Sequence, residues 1–193
     1  MGEHRLIEQA LGSLEAYAGQ VRAGAPMERA VVGEYADFLR GFTDGCHHGK
    51  EEDILFRRLL ERGFTRESGP LAVMFHEHEV GRRHVRVFTE IALRPETAVA
   101  ADAGEFLDSA SDYVPLLRQH IVKEDRILYP MALQVLTAPE FDAMSSQFEE
   151  FEARMHADGS YDRLQSLADR LTARFRPHPA RTAAAGQLTS FGR

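Results

Sequence analysis

Two stretches of the chain carry the same chemistry-bearing pattern: residues 47–56 read HHGKEEDILF and residues 120–129 read HIVKEDRILY. His, Lys, Glu, Ile and Leu match in place, with Glu52 opposite Asp125 and Phe56 opposite Tyr129. Residues four apart lie one above the other on a helix face. His47 and Glu51 therefore reach one point in space, as do His120 and Glu124, and an imidazole with a carboxylate suits a divalent transition metal. One His–Glu pair at this spacing is also an ordinary helix-stabilising contact, and KEED by itself is a solvated face. The duplication gives the pattern its weight and implies a bundle with internal two-fold character.

Other histidines complete a set. His4 lies near the start of the first helical pattern, and His76 and His78 lie within FHEHEVGRRH. Taken alone, a histidine at an exposed helix start is simply solvated. One histidine from each of these helices, added to the two pairs, makes four imidazoles and two carboxylates. That number suits two metals sharing bridging carboxylates, with positions left for water or a small ligand. His84 falls on another face from His78, His156 precedes a turn and His178 sits in the tail, so none of the three reads as a ligand.

The elements that must position these residues are all helical. Leu6, Ile7, Ala10, Leu11, Leu14 and Tyr17 recur at three- and four-residue steps, which predicts a first helix over 2–22. The same period predicts helices over about 27–62, 71–93, 97–136 and 140–175. Gly24 and Pro26 mark a turn, Gly63 a C-cap, and Thr137-Ala138-Pro139-Glu140 a helix start. Gly41, Gly45 and Gly49 fall inside the second helix, where small side chains allow close packing. Pro115 predicts a kink or split near Tyr113, and Asp158-Gly159-Ser160 a break in the last segment. No strand pattern competes, so the fold class is all-α: an up-and-down four-helix bundle over 1–136, a helical extension over 137–176 packed on it, and a disordered tail over 177–193.

Composition narrows the function. The chain has 193 residues, 44% hydrophobic and 27% charged, with a net charge of −7. No basic stripe tracks phosphates, which argues against a nucleic-acid partner. No apolar run approaches the ~18 residues of a membrane span, and MGEHRLIEQAL does not read as a signal peptide. The single cysteine, Cys46, excludes an internal disulfide and favours a cytoplasmic address. In mid-helix it lacks the setting that activates a nucleophilic thiol.

The motifs EHRLIEQAL, HHGKEEDILF, FHEHEVGR and HIVKEDRILYP, in this order over residues 3–135, resemble the hemerythrin-like or HHE cation-binding family. The resemblance implies a four-helix bundle around a non-heme di-iron centre, two iron ions with a bridging oxo, hydroxo or water. By that resemblance His4, His47, Glu51, His78, His120 and Glu124 match the ligands, with Glu51 and Glu124 as the bridging carboxylates. His48 with Glu52 is a rival register in the second helix. The internal repeat favours His47 with Glu51, which leaves His48 and Cys46 as neighbours of the ligands. The chain departs from the oxygen-carrying hemerythrins at Met74, where they have a further histidine; His76 points to a different side of the helix. Tyr113, seven residues before His120, could hydrogen-bond a ligand, and a core aromatic beside Pro115 explains it equally well.

Three functions follow as expectations. The first is a non-heme di-iron protein that binds or reduces a small oxidant (oxygen, peroxide or nitric oxide) in sensing, storage or stress protection; as an enzyme it would be peroxidase- or reductase-like. The second is an iron- or oxygen-responsive regulatory module, with Phe148 and Phe151 of SSQFEEFEARM covering the site or a protein partner, although a packing helix explains them more simply. The third is a structural bundle with a mononuclear or zinc site. Ferritin-like proteins fit less well, because they use Glu-x-x-His.

Overall fold

The computed structural model describes residues 2–95 and 99–176, and the expected tail lies outside the described residues. Among those described there are eight α-helices and no strand: α1 Gly2–Arg22, α2 Arg29–Phe38, α3 Phe56–Glu61, α4 Gly69–Leu93, α5 Val99–Lys123, α6 Tyr129–Val135, α7 Ala138–Ala157 and α8 Ser160–Arg174. π-helical turns over Leu39–His48 and Glu51–Leu55 run α2 into α3, and a third over Glu124–Leu128 runs α5 into α6. Each chain of segments is one long rod, and these two rods with α1 and α4 form the expected all-α bundle.

Local chemistry sets the ends. Gly63 adopts φ 91°, and the N–H groups of Gly63 and Phe64 donate to the carbonyls of Leu60 and Leu59. That closes α3 with the double hydrogen bond typical of a left-handed cap. Thr137 precedes α7, where the Glu140 carboxylate accepts from the Thr137 backbone N–H and hydroxyl, each at 2.7 Å, and Pro139 occupies the first turn. The break between α7 and α8 falls at Gly159, with φ 74°.

Of the kink or split expected at Pro115, the split is absent: α5 runs unbroken from Val99 to Lys123. Phe106, Ala110, Tyr113 and Val114 before the proline are buried, as are Leu117 and Ile121 after it. Packing on both sides of the lost hydrogen bond holds the rod together.

The apolar core has two parts. The larger gathers Ile7, Leu11, Tyr35, Phe42, Phe88 and Phe106 with their neighbours. The smaller gathers Phe56, Leu59, Leu71, Met74, Leu128 and Met144. Along every rod the histidines and glutamates of the repeat fall between the two, so the bundle carries a buried polar belt with apolar packing on either side. Helix α8 packs against both α1 and α2. Its Leu164, Leu167, Ala168 and Leu171 belong to the larger cluster.

The helix-two glycines are where these late helices come close. A Cβ on Gly41 would lie 2.8 Å from Leu164 Cδ1, and one on Gly49 would lie 3.4 Å from Phe151 Cζ. Phe151 and Phe148 pack against the smaller cluster, as the packing explanation requires. No described helix is long and apolar enough to cross a membrane.

Leu164→Ala is expected to lower unfolding free energy by about 2–5 kcal/mol. Gly41→Val should also destabilise, and by less in the Leu164→Ala background, where the close approach is relieved. Urea denaturation of the two single variants and the double variant reads the coupling.

Candidate metal centre

The belt converges on one point. His4 from α1, His47 and Glu51 from the second rod, His78 from α4, and His120 and Glu124 from the last rod are all buried, none more than 6% exposed. Their imidazoles face inward through Nε2 in two pairs, His4 with His47 at 3.2 Å and His78 with His120 at 3.0 Å. Glu124 spans both pairs: Oε2 is 3.2 Å from His4 Nε2 and Oε1 is 2.8 Å from His120 Nε2. Glu51 does the same, its Oε2 lying 3.8 Å from His47 Nε2 and 3.6 Å from His78 Nε2. The expected six residues are thus brought together as two histidine pairs with two carboxylates between them.

Each imidazole is fixed from behind. The four Nδ1 atoms face carboxylates: His4 faces Asp125 at 3.0 Å, His47 faces Glu3 at 3.1 Å, His78 faces Glu52 at 2.6 Å and His120 faces Glu77 at 2.9 Å. A carboxylate accepts and does not donate, so Nδ1 carries the proton and Nε2 turns its other valence inward. Three of these carboxylates are themselves held by cations. Lys50 donates to Glu3, Lys123 to Glu77, and Arg82 to Glu52.

These contacts explain the matched Lys and acidic positions of the repeat. Lys50 locks the carboxylate that holds His47, and Lys123 locks the one that holds His120. Glu52 and Asp125, equivalent in the repeat, hold the histidines of α4 and α1. Glu3-His4 and Glu77-His78 are equivalent in turn, a dipeptide in which Glu holds one histidine and His enters the centre. This dipeptide and the repeated Lys were the sequence signal for the outer carboxylates.

The electrostatics demand positive charge at the middle. Burial pushes the Glu51 carboxyl up to about 8, helped by Glu124. Burial opposes charge on His47, but Glu51, Glu124 and Glu3 outweigh it and hold the imidazole up at about 10. Burial also opposes charge on His120, and Glu124 and Glu77 raise it to about 9. Burial and the neighbouring His120 drive His78 down to about 2. With protein groups alone, protons on His47 and His120 therefore face the carboxylates and the lone pairs of their partner histidines. Buried Glu51 Oε2 and both oxygens of Glu124 still accept no well-aligned hydrogen bond. Four inward nitrogens and three under-used carboxylate oxygens are a donor set for cations, and imidazole with carboxylate suits divalent iron or zinc. Within this belt Glu51, His78, His120 and Glu124 lie close enough to hold an ion, as do His4, His47 and Glu124.

The two halves are not equivalent. At Tyr129 the hydroxyl donates to Glu51 Oε1 at 2.9 Å and lies 3.3 Å from His4 Nε2. Its counterpart Phe56 has no hydroxyl and stacks on His78. Tyr129 stood in the repeat as a bare Tyr/Phe difference. His48, the rival in the second helix, is also buried, because the wide turn of Leu39–His48 brings two successive residues inside. Its ring stacks on His78 at 3.8 Å, and both of its nitrogens lack a hydrogen-bond partner. Its register partner Glu52 serves His78 from outside.

The remaining histidines stay apart. His76 is exposed, His84 pairs with Ser109 at 2.9 Å, and His156 pairs with Asp162; His178 lies outside the described residues. Tyr113 is not a neighbour of the ligands. It is buried among Phe88, Gly81 and His84, the core role that was its alternative. Burial and Glu3 push the Cys46 thiol up to about 12, which suits an inert side chain.

Comparisons with known proteins add to this geometry. The family described as the hemerythrin HHE cation binding domain matches residues 1–132. The uncharacterized proteins Rv1995 of Mycobacterium tuberculosis and Mb2018 of Mycobacterium bovis are each 25% identical over 175 residues, 89% of this chain and 65% of theirs. The iron-sulfur cluster repair protein YtfE of Yersinia pseudotuberculosis is 28% identical over 109 residues, 55% of this chain and 48% of its own. The chain thus spans less than two thirds of the length of these relatives. No solved structure matches it.

Removing an outer carboxylate should loosen the centre without emptying the bundle of its packing. Glu77→Gln and Glu52→Gln are expected to weaken metal binding by about 10–100-fold. Competition with a chromophoric chelator measures it.

Proposed function

The chain belongs to the hemerythrin HHE cation-binding domain family, and from that premise we propose a non-heme di-iron protein whose centre binds or reduces a small oxidant such as oxygen, peroxide or nitric oxide. The arrangement that carries this reading is the pair of histidine pairs with Glu51 and Glu124 reaching both. His4 and His47 would hold one ion, His78 and His120 the other, and the two carboxylates would lie between them. Bound iron supplies one-electron redox chemistry and open positions for a small ligand.

The protein's own groups do the rest. Asp125, Glu3, Glu52 and Glu77 hold the four imidazoles in one tautomer and one orientation. Burial of all six residues limits the contact of the centre with bulk water. Tyr129 holds a hydroxyl proton at the edge of the His4–His47 half, hydrogen-bonded to Glu51. Met74 sits in the apolar cluster where oxygen-carrying hemerythrins have a histidine. That favours reaction or sensing over reversible carriage. The YtfE relatives, named for iron-sulfur cluster repair, support an iron-based centre. The single buried thiol supports a cytoplasmic setting.

Elemental analysis of protein purified without added metal should find about two irons per chain, with less in His47→Ala and in His120→Ala. Chelation should lower the melting temperature, because metal binds the folded chain alone. Air exposure of the reduced protein should bring up an iron charge-transfer band. Little iron, or an unchanged content in both variants, overturns the reading in favour of a zinc or structural bundle.

A further inference from the structure

A cavity of about 550 Å³ lies beside the centre and opens on one half of it. His4, His47, Glu51 and Tyr129 line its inner end, whereas His78 and His120 do not line it. Leu55 and Leu133 form one apolar wall, and Phe141, Met144 and Phe148 of α7 form the other. The wall from α7 lies beyond residue 132, where the family match ends, so one wall of the cavity is an addition to the matched domain. The internal two-fold is broken at the same place. Tyr129 stacks on His4 as Phe56 stacks on His78, but it adds a hydroxyl at this half, while His48 packs against His78 at the other.

Size and charge select the occupant. A diatomic or hydrogen peroxide needs little more than the ~30 Å³ share of one water, whereas pockets for organic molecules run from about 300 to 1,000 Å³. Outside the histidines of the centre, Lys50 carries the positive charge of the described lining, and its ammonium is already tied to Glu3 and Glu152. Away from the centre, an anionic body along α7 would meet Glu152 and no free cation. An uncharged molecule with an apolar body and a small oxygen-bearing head fits.

We propose that this cavity takes an uncharged organic hydroperoxide, its apolar body against α7 and its peroxide head at the His4–His47 edge. The inference rests on the oxidant-reducing reading and names the substrate class of that site. In a single turnover the O–O bond breaks and the hydroperoxide becomes an alcohol and a water. Two ferrous ions, held by the His4–His47 and His78–His120 pairs, would supply one electron each, with two protons from solvent.

The test begins with binding. 2-Phenyl-2-propanol, the alcohol formed from cumene hydroperoxide, is titrated calorimetrically into the purified full chain, whatever metal that chain holds. Saturable binding at one site is expected. Ser145→Phe, at an exposed position of the α7 wall, and Leu133→Trp, at an exposed position of the opposite wall, should each weaken it at least about tenfold. In the iron-loaded, reduced protein the same variants should lower consumption of cumene hydroperoxide about tenfold relative to hydrogen peroxide, with iron content unchanged. No saturable binding by the parent chain, equal binding in both variants, or an unchanged ratio of the two peroxides overturns the proposal. A chain found without iron but binding the alcohol at this site would remove the oxidant reading and leave the cavity as a binding site.

Discussion

Two carboxylates buried in the middle of a helical bundle are the constraint from which the rest of this structure follows. An isolated charge in such a place costs many kcal/mol, and it survives when opposite charge and hydrogen bonds surround it. Here Glu51 and Glu124 are 4% and 0% exposed. Inward imidazoles answer them, outward carboxylates hold the imidazoles, and lysines and an arginine hold most of those carboxylates. Charge alternates from the centre to the surface. Each layer lowers the cost of the one inside it, so no single residue of the network is neutral to replace.

The same constraint explains the two apolar clusters. Hydrophobic burial is non-directional and could not by itself fix a donor set to within tenths of an ångström. The larger cluster clamps the rods on one side of the belt and the smaller cluster clamps them on the other. The belt's residues then have little freedom to move apart, even though their mutual contacts are between groups that repel when all are protonated. Helix α8 contributes to the first clamp and α7 to the second. The extension therefore belongs to the packing that preorganises the centre.

Much of this was legible in the sequence because helices repeat every 3.6 residues. The rods, Gly63, the Thr137 start and the Gly159 break all have local signatures, and four of the six inward residues are marked by duplicated spacing. The three wide turns were not legible, since a π-helical turn changes the period over a few residues and leaves no compositional mark. That is why His47 and His48 read as rivals when both are buried. Pro115 misled because propensity weighs the lost hydrogen bond and says nothing of the packing around it. The roles of Glu3, Glu52, Glu77 and Asp125 went unread because their signal, a Glu-His dipeptide and a repeated Lys, shows only once the fold pairs each carboxylate with an imidazole on another helix.

Duplication and its breaking then divide the labour of the molecule. The equivalent positions in the two halves are those that any pair of cations would need: a His from each rod, a bridging Glu, the outer carboxylates and their lysines. The positions that differ lie where the halves meet their surroundings. Tyr129 faces Phe56 in the repeat, and His48 faces Ile121. The His78 half thereby gains the stacked ring of His48, and the other keeps a hydroxyl and an adjoining cavity. A centre that only held metal would gain nothing from this difference, because both ions make the same demands on their donors. Inequivalence becomes useful when something must approach from one side and meet one ion first. On the proposed reading, the shared residues would hold the metals, and the differing ones would set the side from which a ligand reaches them.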